Sequence, residues 1–474
     1  MSLPVFIQRS IDAIGNARHF DEAISMSRFL GDLLWKNSVG QYELAQLELL
    51  LLQKYGGEFT PGARPEQRCE YLHVLTKAYD TGGHTRIVEH LLSSAALADA
   101  AVQIVETVEP NALRKLTRAR HGCALLPRQA GSRQKIQGLI DIFAQHATII
   151  LHVHPYDIET VLAAALAARF FGVKVLLYNH ADHVFSYGHG IADRVLEVSY
   201  FGWALRARRN IQDKSVYAGI PLKFPEKVPS FSPAASHDTA YLASAGTAYK
   251  YKPSDQFSFP QFVLEYARVR QDRLVVIGPS LWSDWWWWKV RLTLRSRVSF
   301  YKKMPHEKYL GFLMQASAYV DSFPLTGGTA FPEIFSLGIP SFGVLTGSHG
   351  YSPADQLKSA SLQELVRDLA AFLATQQRGK LETAAILAQI HEAHDIENVA
   401  DRIRYAYDLR KDEKQPPWEN PGTIDDRFYE KIWASRKGPA IPVHTVPSLK
   451  LIRFFLIYWK QVRFGGKQAP DTLA

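Results

Sequence analysis

The chain has 474 residues, of which 47% are apolar and 21% are charged. This length exceeds one ordinary hydrophobic core, and this composition excludes disordered, collagen-like and coiled-coil classes for most of the chain. Its two cysteines, Cys69 and Cys123, exclude a disulfide framework and a cysteine-based zinc site. The net charge of +9 favours an anionic partner, which is a nucleic acid, a phosphorylated small molecule or a membrane surface.

The first 58 residues are predicted to form a helical segment. Apolar residues recur there at spacings of three and four until Gly56 and Gly57 end the pattern. No stretch of the chain reaches the roughly 18 to 20 unbroken apolar residues of a membrane span. The first residues also lack the basic head and apolar run of an export signal. These patterns predict a cytoplasmic protein.

Short β-rich runs then alternate with helical stretches over residues 68–222. Alternation of this kind predicts parallel strands with crossover helices, which is a doubly wound α/β domain. The predicted strands cover residues 71–77, 101–106, 122–126, 147–153, 174–178, 194–198 and 215–218, with helices over 136–145 and 158–171.

A stretch rich in proline and serine, 221–237, is predicted to be a linker, after which the alternation restarts over 238–410. The predicted strands there cover 239–244, 274–277, 298–302, 318–322 and 340–344, and the helices cover 261–270, 306–315, 331–337 and a stretch beyond Gln363. The fold class is therefore α/β, with two Rossmann-like domains facing across a cleft. Open α/β sheets bind ligands in such a cleft, at the carboxyl ends of their strands.

Residues 411–474 are predicted to form a C-terminal extension. Its part from 449 to 467 is basic, aromatic and amphipathic, and residues 444–470 contain no acid. This pattern suits an anionic bilayer surface, which would make the protein peripheral on the inner face of a membrane. The alternative is a helix that packs on the protein with its lysines in water.

A glycine loop follows the first predicted strand and contains Asp80, Gly82, Gly83 and His84. Two glycines allow close approach of the backbone, and the helix that starts here offers free N–H groups. The loop is predicted to bind a phosphate or a sugar oxygen; the alternative is a tight turn. The spacing is that of neither a P-loop nor the GxGxxG motif, which disfavours a nicotinamide dinucleotide.

Histidines gather after two further strands of the first domain. His152 and His154 follow one strand, and the sequence from Asn179 to His183 follows the next. Four histidines and Asp182 at one sheet edge are candidate metal ligands or a candidate general base. A base is favoured over a metal, because an imidazole backed by a carboxylate removes a hydroxyl proton readily. The alternative is that most of these rings bind backbone groups.

The second domain carries two candidate loops. The loop after its first strand contains Lys250, which is placed to neutralise a diphosphate, unless it is simply exposed. After the strand 318–322, a loop leads into a helix that is predicted to take a β-phosphate on backbone N–H groups and on Thr329. Glu333, one turn further on, is predicted to accept the hydroxyls of a ribose. The candidate donor-binding residues are Lys250, Thr326, Gly327, Gly328, Thr329 and Glu333.

These motifs resemble those of GT-B glycosyltransferases. The resemblance covers residues 71–410 and rests mainly on Gly327-Gly328-Thr329, followed by Glu333 five residues before Gly338. Lys250, three residues before Pro253, is similar to the diphosphate-gripping lysine of the protein O-GlcNAc transferase and bacterial adhesin N-glycosyltransferase family. In that family the ribose carboxylate is an Asp, whereas this chain has Glu333.

The resemblance implies transfer of a sugar from a nucleotide-sugar, with UDP as the expected nucleotide, to a glycan, lipid-linked or protein acceptor. The nucleotide-sugar is a substrate, so no cofactor and no metal is expected. The anomeric centre is expected to invert, with retention left open. The candidate base is His84, followed by Asp182 or His183.

Two other functions fit the same architecture, a nucleotide-sugar 2-epimerase and a non-catalytic nucleotide-sugar-binding or scaffold protein. A nucleic-acid partner is not expected, because the basic residues form no aromatic–basic sheet or recognition helix. The run from Trp282 to Lys289 contains five tryptophans and is predicted to meet an acceptor or a membrane, or else to pack under the second domain.

Overall fold

The computed structural model describes residues 3–63, 65–80, 83–224, 241–302, 304, 306–375, 380–435, 440 and 456. Seven parallel strands among these residues form the first sheet, in the order β3-β2-β1-β4-β5-β6-β7. They are β1 (Cys69–Ala78), β2 (Ala100–Val108), β3 (Cys123–Leu125), β4 (His146–His152), β5 (Lys174–Asn179), β6 (Arg194–Glu197) and β7 (Ser215–Tyr217).

A second parallel sheet has the order β10-β9-β8-β11-β12 within the described residues. Its strands are β8 (Tyr241–Ala245), β9 (Arg273–Ile277), β10 (Val298–Tyr301), β11 (Ala318–Val320) and β12 (Ser341–Phe342). Every strand predicted from the sequence is present, with ends that differ by one or two residues. The prediction of two Rossmann-like α/β domains with a helical N-terminus is confirmed.

Helices cover the faces of both sheets. Three come before the first strand, α1 (Leu3–Gly15), α2 (Phe20–Lys36) and α3 (Ala45–Tyr55). The first domain adds α4 (Gly83–Leu91), α5 (Pro110–Leu116), α6 (Ser132–Phe143), α7 (Ile158–Phe171) and α8 (Tyr200–Ala204). Those that follow are α9 (Phe259–Val269), α10 (Trp288–Leu294), α11 (His306–Leu313), α12 (Ala330–Ser336), α13 (Leu362–Thr375), α14 (Lys380–His394), α15 (Ile396–Arg404) and α16 (Phe428–Ala434).

The three N-terminal helices are part of the core of the first domain. Leu30 and Leu33 of α2 and Leu47 of α3 belong to one buried apolar cluster with Leu139 of α6 and Val161 of α7. The apolar rows that predicted α2 and α3 are therefore the face that packs on α6 and α7. The N-terminal segment thickens this domain.

The chain returns to the first domain after the second sheet. Val399 and Ile403 of α15 share a buried cluster with Leu176 of β5. Phe428 of α16 shares another with Phe201 of α8. Helix α15 and, within the C-terminal extension, α16 thus pack on the first domain, while the exact domain boundaries stay a prediction.

Among the described residues, no helix is both long and apolar enough to cross a membrane. The predicted basic segment, 449–467, lies outside the described residues except for Leu456, and so does most of the predicted linker. The cytoplasmic location and the membrane contact of this segment stay predictions.

Candidate active site

A cavity of about 300 Å³ lies where loops from the two sheets meet. Parallel strands point their carboxyl ends toward it, which is where this fold class binds ligands. Residues of both domains line it: Gly83, His84, Ile87, His180, Asp182, His183, Val198, Ile220, Tyr249, Lys250, Leu325, Thr326, Gly327, Gly328, Thr329, Tyr351 and Tyr429. The cavity therefore collects most of the candidate residues of the sequence.

The second-domain side of the cavity is a loop closed by Asp321. Its Oδ1 atom accepts the N–H groups of Ser322 and Gly327, both at 2.9 Å. The second carboxylate oxygen of Asp321, Oδ2, lies 2.8 Å from the ammonium nitrogen of the buried Lys358. A Cβ at Gly327 would lie 2.2 Å from Asp321 Oδ1, so only glycine fits this approach. Gly328 has a φ of +63°, a left-handed conformation that glycine adopts at least cost.

The glycine N–H groups of this loop have acceptors within the protein. The Gly327 N–H donates to Asp321, and the Gly328 N–H donates to Thr326 Oγ1 at 3.2 Å. Thr329 comes next and occupies the N-cap position of α12, where its side chain makes no capping hydrogen bond. The first turn of a helix has N–H groups without intrahelical acceptors. An anion at this wall would therefore meet the N–H groups that begin at Thr329 rather than those of the two glycines.

Lys250 lies against this loop. It is half-buried, and its Nζ donates to the carbonyl of Thr326 at 2.8 Å. The contact fixes the ammonium beside Gly327, Gly328 and Thr329 on the cavity lining. Lys252, two residues further on, is exposed. A cation and helix N–H groups thus face the same cavity, and such an arrangement attracts a phosphate.

The first-domain side carries a carboxylate–imidazole pair. His183 Nδ1 lies 2.7 Å from Asp182 Oδ1, and Asp182 is buried. The Asp182 carboxylate also accepts the hydroxyls of Ser199 and Tyr351, the latter at 3.1 Å. The His183 ring lies 4.4 Å from the ring of Tyr429 on α16. An imidazole whose Nδ1 is held by a carboxylate leaves Nε2 as a proton acceptor.

A chain of imidazoles runs from this wall into the first sheet. His180 Nε2 lies 2.8 Å from His152 Nδ1, and His152 Nε2 lies 3.0 Å from His73 Nδ1. His73 and His152 lie on the neighbouring parallel strands β1 and β4, two positions apart in register. Burial lowers the pKa of His73 to about 4. Burial and the neighbouring imidazoles hold the pKa values of His152 and His180 well below their usual range. At neutral pH all three rings are uncharged.

His84, the second residue of α4, stacks on His180 with ring centroids 4.0 Å apart. The His154 ring lies 5.5 Å away on another side. Burial and, to a smaller degree, the neighbouring His154 lower the pKa of His84 to about 3. No carboxylate partner of His84 is recorded among the described residues. Its environment therefore differs from that of His183.

Glu333, the predicted ribose ligand, does not line the cavity. Its carboxylate is bound on both oxygens by the guanidinium of Arg86, a residue of α4, with one N–O distance of 3.0 Å. The Glu333 side chain is 12% exposed and the Arg86 side chain is 36% exposed. The ion pair joins the two domains next to the cavity.

The predicted residues of the first-domain glycine loop do not all lie at the cavity. Gly83 lines the cavity, whereas Gly82 lies outside the described residues. The Asp80 carboxylate accepts the Asn111 side chain and the Ala112 N–H, each at 2.7 Å. It thereby caps the N-terminus of α5, and it does not line the cavity.

Two tyrosines that lie outside the predicted motifs also line the cavity. Tyr351 follows the last strand and bonds to Asp182, and Tyr429 lies in the C-terminal extension. Neither residue belongs to a recognisable motif. They reach the cavity only because the chain returns to the first domain, which the sequence pattern does not show. Within the described residues, no group of three or more His, Cys, Asp or Glu side chains is placed to hold a metal ion.

Comparisons with solved structures show the same architecture. An Anabaena protein, HepE, solved in complex with UDP, aligns over 70% of this chain and 98% of its own, with 11% identity and a TM-score of 0.53. An O-GlcNAc transferase of Thermobaculum terrenum aligns over 81% and 76%, with 13% identity and a TM-score of 0.52. A glycosyltransferase of Rickettsia africae aligns over 72% and 98%, with 10% identity and a TM-score of 0.51.

At these identities the likeness establishes the fold. The chain has the two-domain architecture of GT-B glycosyltransferases, with a helical N-terminal segment built onto the first domain. No family model matches the sequence, and no curated protein matches it.

Proposed function

We propose that the protein is a glycosyltransferase that moves a sugar from a UDP-sugar to an acceptor hydroxyl. One observation carries the proposal: a single cavity joins the Asp182–His183 pair of one domain to Lys250 and the Gly327-Gly328-Thr329 loop of the other. UDP is the proposed nucleotide because the similar Anabaena structure contains it. The acceptor class, glycan, lipid-linked or protein, stays a prediction, and so does closeness to the O-GlcNAc transferase family.

The proposed donor grip is electrostatic. As the bond between the sugar C1 and the diphosphate breaks, negative charge grows on the leaving oxygen. Lys250 and the N–H groups that begin at Thr329 meet this charge with fixed donors, which is worth most in a cavity shielded from water. These groups supply the positive charge by themselves, so the proposed reaction includes no metal.

The proposed base is His183 rather than His84. His183 has a carboxylate at Nδ1 that orients the ring and leaves Nε2 to accept a proton, whereas the pKa of His84 is lowered to about 3. His183 Nε2 takes the proton of the acceptor hydroxyl, the oxygen attacks C1, and the nucleoside diphosphate leaves on the opposite side. This displacement inverts the anomeric centre.

His180 has a different proposed role, because the imidazole chain fixes its tautomer. Within the described residues, the buried His73 Nε2 has no hydrogen-bond partner. A buried N–H without an acceptor is rarer than a bare lone pair, so His73 carries its proton on Nδ1 and donates to His152. His152 then donates to His180 Nε2, and the neutral His180 keeps its own proton on Nδ1. His180 therefore offers the cavity a donor, not a base.

Glu333 keeps its proposed role toward the ribose, with one condition. Its carboxylate is held by Arg86, so ribose hydroxyls must share or replace that ion pair. Donor binding would then change the contact between the domains at this point.

The test is a panel of nucleotide-sugars, measured by thermal shift of the full chain and by release of free nucleotide with and without acceptor extracts. We expect a UDP-sugar to raise the melting temperature and to release UDP in an acceptor-dependent way. Release without acceptor, together with an epimerised sugar, would identify a 2-epimerase instead. If no nucleotide-sugar binds, the donor site is disproved and a scaffold role follows.

A further inference from the structure

Three tryptophans on the second domain are largely in water. The exposed fractions are 95% for Trp282, 73% for Trp285 and 48% for Trp288, and nearby Leu292 is 68% exposed. Tryptophan is on average one of the most buried residues, so this concentration of exposed indoles indicates an interaction surface. We call these four residues the tryptophan ridge.

The segment that carries the ridge is anchored in the core of the second domain. Trp287 is completely buried in the core of the second domain, as is Val290, and Leu294 is nearly so. These three residues anchor one face of α10, and the helical spacing then turns Trp288 and Leu292 outward. The Trp288 Nε1 donates to the carbonyl of Leu281 at 3.0 Å. The prediction that this run packs under the second domain is thus true of Trp287 and, in part, of Trp286, which is half-buried against the same core.

The chain segment that follows Asp284 and carries most of the ridge has charge of one sign. The sequence from Trp285 to His306 contains six basic residues and no Asp, Glu, Asn or Gln, the basic ones being Lys289, Arg291, Arg295, Arg297, Lys302 and Lys303. Asp284, which precedes this stretch, is buried and accepts the N–H of Ser280 at 2.7 Å. Lys289 and Arg295 are exposed beside the indoles.

We propose that the tryptophan ridge docks the second domain on an anionic bilayer, with the indoles at headgroup level and the basic side chains on the lipid phosphates. Indole rings prefer the membrane–water interface, and each basic side chain near an anionic surface adds attraction. A sugar would need carboxylates or amides beside the rings to bind its hydroxyl groups, and the segment 285–306 has none. This surface shares no residue with the donor cavity or with the basic segment at 449–467.

The test is co-sedimentation of the full chain with vesicles of phosphatidylcholine alone or with about 30% phosphatidylglycerol added. We expect binding to the anionic vesicles only. The double substitution Trp285→Ser and Trp288→Ser should weaken it by about tenfold or more, and Lys289→Glu with Arg295→Glu should remove the preference for anionic lipid. The matched controls are Leu49→Ser with Tyr405→Ser, and Arg118→Glu with Lys411→Glu, all at exposed positions elsewhere.

A second measurement separates the ridge from the C-terminal segment. In a Cys69→Ser, Cys123→Ser background, an environment-sensitive fluorophore at Ser283→Cys should shift to the blue with anionic vesicles, while one at Gln129→Cys should not. A label at 283 that stays in water, a ridge variant that binds like the wild type, or no vesicle binding would each overturn the proposal. So would a dimer in sedimentation velocity that the ridge substitutions dissociate, since the partner would then be a second copy.

Discussion

The two walls of the cavity are built from opposite chemistry. The first-domain wall presents neutral imidazoles and one oriented carboxylate–imidazole pair, Asp182 and His183. The second-domain wall presents the ammonium of Lys250 and the start of α12. This difference indicates a division of roles between the two domains in the proposed reaction. The first takes a proton from the acceptor, and the second receives the negative charge of the leaving group.

Removing the base should have the largest effect and would test the first wall. His183→Ala is expected to lower kcat by about 10² to 10⁴ with the donor KM little changed, because general-base assistance is lost. The matched variant is His84→Ala, which should cost about tenfold or less, since burial already lowers the pKa of His84. Steady-state rates with the donor found in the panel decide between them. A larger loss for His84→Ala would move the base to that residue.

Removal of the Lys250 ammonium should have the second largest effect, and it tests the second-domain wall. Lys250→Ala is expected to lower kcat by about 10² to 10³, because a fixed donor to the leaving diphosphate is lost. Lys252→Ala is the control: this lysine is exposed two residues further on, and its loss should change kcat by about twofold at most. Equal effects of the two substitutions would show that Lys250 acts only through general surface charge.

The buried imidazole chain should make the first wall sensitive to acid. The pKa of His73 is about 4 in the folded protein, below its usual value, so between about pH 6.5 and pH 4 the unfolded chain binds a proton that the folded one does not. The neutral His73 makes its full contribution to the free energy of unfolding above this window. As the pH falls through the window, that contribution is lost, which lowers the free energy of unfolding by up to about 3 kcal/mol.

Urea denaturation of the wild type and of His73→Leu between pH 7 and pH 4 measures this term. The stability of the wild type relative to the variant should be constant above about pH 6.5 and should decline as the pH falls toward about 4. A constant difference across the window would contradict the neutral buried ring. Nitrogen NMR shifts of the labelled histidines give a separate check, with the proton expected on Nδ1 of His180.

Breaking the ion pair between Arg86 and Glu333, which joins the two walls, should have the smallest effect. Arg86→Ala is expected to tighten nucleotide binding by up to about fivefold, because Glu333 no longer exchanges a partly exposed ion pair for the ribose. Calorimetric titration with UDP measures it, and Glu333→Gln should weaken the same binding. Weaker binding in Arg86→Ala would assign the guanidinium to the ligand instead and would break the division between the walls.

Most of the fold was predictable because its signals are local. The strands are short runs of apolar and β-branched residues between turn residues, and the two series of alternations define two sheets. Helix α7 (Ile158–Phe171) has the bounds predicted for it. Short helices such as α5 and α16 were missed, since a few turns of mixed polarity give little periodic signal.

The membership of the cavity was predictable to a similar degree, because loops after parallel strands meet at one edge. His84, Asp182, Lys250 and the Gly327-Gly328-Thr329 loop all line it. The state of each group was not predictable. Whether Glu333 is free, or whether a histidine is charged, depends on neighbours distant in sequence.

The sequence by itself determined the two α/β domains, the loops that carry candidate chemistry and the concentration of tryptophan and basic residues at 282–306. Only the tertiary structure decided that Arg86 holds Glu333 across the domains and that His73 extends an imidazole chain behind the cavity. It alone separated the buried Trp287 from its exposed neighbours. Periodicity and turn residues act over a few positions, whereas burial and ion pairing depend on segments that meet only after the chain has folded.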